Sequence, residues 1–123
     1  MRKSSPKREF KDYLLDMVYS IERIEKFVEG FDFEKFRQDE KTIFAVIRAF
    51  EIIGEAVKNI PAKIKSKHKE IPWKIMAGMR DKLVHEYFGV NKEVVWKTIK
   101  EDIPGLKDKM FDLLNEFKIN RLI

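Results

Sequence analysis

The sequence predicts an all-α protein, an up-and-down helical bundle of four to five helices. Apolar residues recur at steps of three and four along most of the chain, which is the spacing of one face of a helix. Alternation at every second residue is nowhere sustained, so no strand is predicted. Short connections between long amphipathic segments favour antiparallel packing of neighbouring helices.

Each predicted helix begins at a cap residue or a proline, and most end at a residue that helices tolerate poorly. The predicted helices run from Ser5 and Pro6 to Gly30, from Asp32 or Asp39 to Asn59, from Pro72 to Gly89, from Asn91 onward and from Pro104 onward. The lysine-rich segment 61–71 suits a loop or one short helix. The third helix would carry the stretch MRDKLVHEYFGV, residues 79–90.

The composition predicts one globular domain over residues 1–123. Hydrophobic residues make up 44% and charged residues 38%, which is enough apolar surface for a core. The chain has no cysteine, so a thiol nucleophile or a thiolate metal site is excluded, and a reducing cytoplasm is the expected location. The N-terminus lacks the apolar segment of a signal peptide, and no run is long enough for a membrane helix, so no membrane association is expected.

The net charge of +5 is concentrated in two segments, one at the N-terminus and one around residues 58–74. Such clusters are usually solvated surface, and they can also contact the phosphates of a polyanion.

Several kinds of active site are excluded by their missing motifs. The residues three before His68 and His85 are Lys65 and Lys82, so the Glu-x-x-His pairs of di-iron bundles are absent, and no HExxH zinc motif occurs. No phosphate-binding glycine loop is present, and none of the serines lies in a nucleophile motif. The sequence therefore predicts no metal site and no cofactor.

What remains is a group of Arg80, Asp81, His85 and Tyr87 in the third predicted helix. On an ideal helix Asp81 and His85 share a face, so that Asp81 can orient the imidazole. The side chain of Arg80 could reach His85 in the same chain, or the His85 of a two-fold related copy. A histidine that titrates near neutral pH can exchange protons with oxygen atoms, and an arginine can hold a phosphate through two hydrogen bonds. RNA offers a 2′-hydroxyl beside each phosphate, so these groups could cleave it by transesterification. The alternative is an ordinary surface pair.

Read as R-x4-H-x-Y, Arg80, His85 and Tyr87 resemble the signature of the HEPN superfamily, in its HepT-like toxin branch. The phrases FAVIRAFEIIGEAVKNIP, IPWKIMAGMRDKLVHEYFGV and VVWKTIKEDIPGLKDKM resemble the same branch, and the similarity spans about residues 10–114.

The resemblance implies a HEPN-like helical homodimer with a metal-independent ribonuclease site where two motifs meet. Arg80 would bind the scissile phosphate, His85 would act as general base or acid, and Asp81 would support them. It also implies a toxin that is neutralised by an MntA-type nucleotidyltransferase antitoxin, which transfers AMP to Tyr87. The added anion would repel RNA. Lys63, Lys65 and Lys67 are the candidates for contact with the RNA backbone.

The alternative function is a non-catalytic HEPN subunit that binds a nucleotidyltransferase partner or a nucleotide. For single residues, simpler roles compete as well. Tyr87 continues an apolar stripe and could serve packing, Trp73 and Trp96 are expected in the core or at a dimer interface, and His68 is expected on the surface.

Overall fold

The computed structural model describes residues 8–85 and 89–119, and it confirms the all-α prediction. The four longest helices of these residues are α1 (Phe10–Phe27), α3 (Glu40–Lys58), α7 (Lys92–Glu101) and α8 (Ile103–Glu116). The shorter elements are α2 (Phe33–Gln38), α4 (Ala62–Lys67), α5 (Trp73–Ala77), α6 (Met79–Leu83), β1 (Val84–His85) and β2 (Gly89–Val90). None of the helices in the described ranges is long and apolar enough to cross a membrane.

The first helix begins later than predicted. Ser5 and Pro6 lie outside the described residues, and the helix starts at Phe10, so the predicted start at Pro6 is wrong. The physical reason is a reciprocal cap at this point, in which the Glu9 N–H donates to Asp12 Oδ2 at 2.9 Å. The helix ends at Phe27, and Gly30 takes a positive φ of 76° in the turn that follows.

Both aspartates proposed as alternative caps of the second helix are used. Asp32 accepts a hydrogen bond from the Lys35 N–H at 2.9 Å, and Asp39 accepts one from the Thr42 N–H at 3.0 Å. The predicted single helix is therefore two helices, α2 and α3, with a break at Asp39. For the lysine-rich segment 61–71 the sequence predicted a loop or one short helix, and the structure has one short helix there, α4.

The core lies between α1 and α3 and continues onto α8. Its fully buried side chains include Leu14, Met17, Ile21, Ile24, Val46, Phe50, Ile53 and Met110. Burial of each large apolar side chain contributes about 1.5–3 kcal/mol, so these helices form the stable frame of the protein. Ser20 is a polar exception, since its hydroxyl is fully buried in α1 and has no hydrogen-bond partner among the described residues.

One ion pair connects the first and last helices of this frame. Lys107 Nζ of α8 lies 2.8 Å from Glu25 Oε1 of α1, and both side chains are about two-thirds buried, with 32% and 35% exposed. The hydrogen bond that Lys107 donates to the Glu25 carboxylate raises the pKa of Lys107 above its ordinary value.

Candidate active site

The Arg80–His85 segment does not form one helix, which corrects the prediction for residues 72–89. The chain forms α5, turns at Gly78, forms α6 and then enters β1. Arg80 and Asp81 lie in α6, His85 lies in β1, and Tyr87 lies outside the described residues. Because the helix ends between Asp81 and His85, the expected sharing of a helix face by these two residues is wrong.

The chain reverses direction after α6 and pairs with itself. Val84 pairs with Val90 and His85 with Gly89 in an antiparallel arrangement, which we call the motif hairpin. The Asn91 N–H donates to the Leu83 carbonyl at 2.9 Å and closes its base. Gly89 has a φ of 71°, a conformation that glycine adopts without strain. The prediction of no strand is therefore wrong at this point, because two paired residues are too short to produce a period-two pattern.

Core side chains hold the segment in place. Met79 is 6% exposed and Leu83 is fully buried, and Met76 of α5 is fully buried beside them. Trp73 at the start of α5 is a core residue, as expected, and its indole N–H donates to the His68 carbonyl at 2.9 Å. The backbone around Arg80 is therefore fixed by burial on both sides of it.

A glycine allows close contact between this segment and the frame. A Cβ atom built on Gly54 of α3 would lie 3.2 Å from the carbonyl oxygen of Ala77 and 3.6 Å from that of Met76. Because glycine has no Cβ, the backbone of α3 can approach the backbone of α5 directly. The contact on α5 lies about one helical turn before Arg80 in the chain. Gly54 was not predicted as a site residue, and its only sequence signal is a glycine inside a strong helical pattern.

Asp81 lines a groove between α6 and the polar face of α3. The groove has a volume of about 290 Å³, and its lining residues are Arg48, Glu51, Gly54, Glu55, Lys58, Ala77 and Asp81. Arg48 is an exposed cation in this groove that the sequence argument missed, because the pairing of α3 with α6 is not visible in either segment alone. Among the described residues, no three histidine or carboxylate side chains come together in a way that could hold a metal ion.

The three candidate lysines lie on α4, and the structure separates them. Lys63 and Lys67 are exposed and one helical turn apart, whereas Lys65 is half-buried. Lys63 and Lys67 can therefore contact one ligand together, and Lys65 does not share their face.

His68 is not plain surface, which corrects the expectation for it. Its side chain is only 12% exposed, with Nε2 3.1 Å from Glu116 Oε2 and Nδ1 3.4 Å from Glu70 Oε1. The imidazole therefore connects the end of α4 to the end of α8. Glu116 is far from His68 in sequence, so spacing could not have indicated this contact.

The tryptophans pack rather than offer an open face. Trp96 of α7 is half-buried, and its ring centroid lies 5.1 Å from that of Phe36. This agrees with the expectation of a packing role for both tryptophans.

The fold and the motif define an all-α, HEPN-like protein with an Arg-x4-His segment at a helix-to-hairpin turn. A family model described as HepT-like, Ribonuclease HepT-like, matches residues 17–112. The chain therefore belongs to the HepT-like ribonuclease family.

Relatives with similar sequences carry ribonuclease names. The chain is 62% identical over 103 residues to a protein named "Probable ribonuclease HepT" from Thermococcus cleftensis, covering 84% of this chain and 94% of that protein. It is 45% identical over 106 residues to a protein named "Putative RNase" from Caldanaerobacter subterraneus subsp. tengcongensis, covering 86% and 95% of the two chains. A third relative, also named "Putative RNase", from Methanocaldococcus jannaschii, is 42% identical over 113 residues, covering 92% and 97%. No solved structure matches the chain.

Proposed function

We propose that this chain is the toxin ribonuclease of a toxin-antitoxin pair and that it cleaves RNA without a metal ion. The observation that carries the proposal is the intact Arg80, His85 and Tyr87 motif in a chain of the HepT-like ribonuclease family. The proposal treats residues 1–123 as one HEPN-like domain.

In the proposed reaction, RNA supplies its own nucleophile. His85 accepts the proton of a 2′-hydroxyl, and the 2′-oxygen attacks the adjacent phosphorus. The bond from phosphorus to the 5′-oxygen breaks, and that oxygen takes up the proton of the protonated His85 imidazole as it leaves. The products are a 2′,3′-cyclic phosphate and a 5′-hydroxyl. Arg80 stabilises the negative charge that collects on the phosphate oxygens, and Asp81 supports the site from α6.

An exposed apolar patch next to α6 supports a homodimer in which two motifs meet. Ile75 of α5 is 63% exposed, and it lines a groove of about 440 Å³ together with the buried Met76 and Met79. Glu101 and Lys109 lie in the same groove. Opposite charges within one patch suit a two-fold interface, since the acid of one copy can meet the lysine of the other. We propose that this patch is the contact between copies.

The proposed regulation acts on Tyr87. An MntA-type nucleotidyltransferase would join the Tyr87 oxygen to the α-phosphate of ATP and release pyrophosphate. The bound AMP would place an anion beside the RNA site and repel the substrate. Mass spectrometry after incubation with such a partner and ATP should show AMP on Tyr87, and AMP on another residue would contradict this step.

The central experiment compares the wild type with Arg80→Ala and His85→Ala for growth arrest and for RNA cleavage in EDTA. Both variants should lose cleavage by at least about 100-fold, the usual contribution of acid-base catalysis. His68→Gln is the matched control, because it changes the other histidine and keeps a donor for Glu116. Its cleavage should match the wild type.

Three outcomes would contradict the proposal. If the wild type and the variants were equally toxic, Arg80 and His85 would not take part in the reaction. If cleavage stopped in EDTA, the reaction would require a metal ion. A wild type that binds a nucleotidyltransferase without cleaving RNA would favour a non-catalytic subunit.

A further inference from the structure

An exposed aromatic ring lies in a second groove, which reaches the motif hairpin. The groove has a volume of about 560 Å³, and its lining residues are Arg37, Gln38, Glu40, Ile43, Phe44, Val90 and Lys92. Phe44 is 62% exposed at the first turns of α3. A phenyl ring held this far into water on a helix of the frame is available to a ligand.

Cations surround Phe44. Arg37 and Lys92 line the groove with it, and Lys41 and Arg48 lie three residues before and four residues after it in α3. Side chains at these spacings are neighbours on a helix surface, and both of these are exposed. The ring therefore has four cations near it, together with one carboxylate, Glu40, four residues before it in α3.

The carboxylates in this region leave that positive charge in excess. Glu34 binds Arg37 at 2.7 Å, and Glu40 lines the groove. Lys92 Nζ donates to the Arg37 carbonyl at 3.0 Å, which uses one of the three donors of an ammonium group and fixes its position.

The other exposed large apolar side chain of the described residues has different surroundings. Ile75 is 63% exposed, and its groove contains Lys109 besides two carboxylates, Glu101 and Asp102. The groove of Phe44 has the opposite ratio, two cations to one carboxylate. A polyanion is therefore attracted more strongly to Phe44 than to Ile75.

An aromatic ring bordered by cations has the chemistry of a site for unpaired nucleotides. The ring stacks on a base, and the cations contact the phosphates on either side of it. We propose that Phe44 is a stacking platform for one unpaired base of the RNA substrate, with Arg37 and Lys92 contacting the neighbouring phosphates. This inference rests on the proposed ribonuclease function.

The position of the groove relates this base to the site of cleavage. Val90 lines the groove and pairs with Val84, the residue before His85. The groove therefore extends to the hairpin that carries His85. In the proposal, the base on Phe44 belongs to a nucleotide near the scissile phosphate.

The test measures binding of short single-stranded RNA in which every 2′-hydroxyl is methylated, since this RNA cannot undergo the proposed transesterification. Phe44→Leu keeps an apolar side chain but removes the stacking face, and it should weaken binding about 5- to 150-fold, the range for loss of one stacked base. Phe44→Tyr should stay within about twofold of the wild type. Phe111→Leu is the matched control, because Phe111 is also an aromatic ring beside a lysine, Lys107 of α8, and it does not line the groove of Phe44. Its RNA affinity should not change.

A set of RNAs with one abasic position each identifies the stacked base. Removing the base at one position should weaken binding to the wild type. Removing the same base should not weaken binding to Phe44→Leu any further, because the stacking interaction is already absent in that variant. This non-additivity would not arise from a general change in charge or folding.

The outcomes separate this inference from the proposed function. If the wild type cleaves RNA and Phe44→Leu binds with the same affinity, the stacking role is wrong and the ribonuclease proposal stands. If Phe44→Leu changes the oligomeric state in light scattering, the ring contacts protein and the inference is again wrong. If the wild type neither binds nor cleaves any RNA, both proposals fail.

Discussion

The contact at Gly54 gives a prediction whose sign differs from the usual effect of replacing glycine in a helix. Replacing glycine by alanine in a helix interior normally raises the free energy of unfolding by about 1 kcal/mol. In Gly54→Ala the new Cβ would lie 3.2 Å from the Ala77 carbonyl oxygen, so α3 or α5 must move by a few tenths of an ångström. Overpacking of this kind costs about 1–3 kcal/mol, so we expect a net loss of about 1 kcal/mol.

Gly105 is the matched control for this substitution. It lies in the first turn of α8, and a Cβ built there meets no atom within 4 Å. Gly105→Ala should therefore raise the free energy of unfolding by about 0.5 kcal/mol. The two variants should differ by about 1.5 kcal/mol in urea unfolding, with unchanged slopes.

Cleavage by Gly54→Ala tests whether the contact positions the site. Gly54→Ala should lower RNA cleavage under conditions where the protein remains fully folded, because α5 leads directly into the residues around Arg80. Gly105 lines the groove proposed as the contact between copies, so the control for cleavage is Ser20→Ala in α1, which should cleave like the wild type. If Gly54→Ala stabilises the protein as much as Gly105→Ala, the backbone moves without cost and the reasoning is refuted.

Three further predictions concern stability. Ser20→Ala should raise the free energy of unfolding by about 1 kcal/mol, because it removes a buried hydroxyl that has no partner among the described residues. A lower Tm in thermal unfolding would contradict this. Lys107→Met should cost about 0.5 kcal/mol at neutral pH by removing the ion pair with Glu25. Because the pKa of Lys107 is raised in the folded state, the pair stabilises the protein below pH 10.5, and this contribution disappears as pH rises through the folded pKa. The free energies of unfolding of the wild type and Lys107→Met should therefore converge at high pH. Asn91→Ala should lower the free energy of unfolding by about 1 kcal/mol, because it removes the side-chain oxygen that accepts from the Val94 N–H at the start of α7. Asn91→Ser should keep most of this stability in the same unfolding measurement.

The fold was largely predictable because helical packing leaves a periodic pattern in the sequence. The stripes of α1, α3 and α8 match their buried residues, and the caps of α2, α3 and α7 were named correctly. The start of α1 was not predicted, because Pro6 is a stronger local signal than the reciprocal cap of Glu9 and Asp12. Local signals compete, and the full set of contacts decides between them.

The site was less predictable because it depends on contacts between distant segments. The apolar steps from Trp73 to Leu83 fit one helix, and nothing in that period shows the turn at Gly78 or the hairpin after Leu83. Arg48 and Phe44 are polar-face residues of α3 in the sequence. Their relation to the motif exists only because α3 packs beside α5 and α6.

The short length of α5 and α6 has a consequence for how stability is distributed. Each has five residues, and the first four N–H groups of any helix have no partner within it. The amides of α1 and α3 are protected by long helices, so their hydrogen exchange requires unfolding of the whole frame, whereas α5 and α6 can exchange through local opening. Although Met79 and Leu83 hold the backbone around Arg80 in place, we expect its amides to exchange at a lower free energy of opening than the amides of the frame.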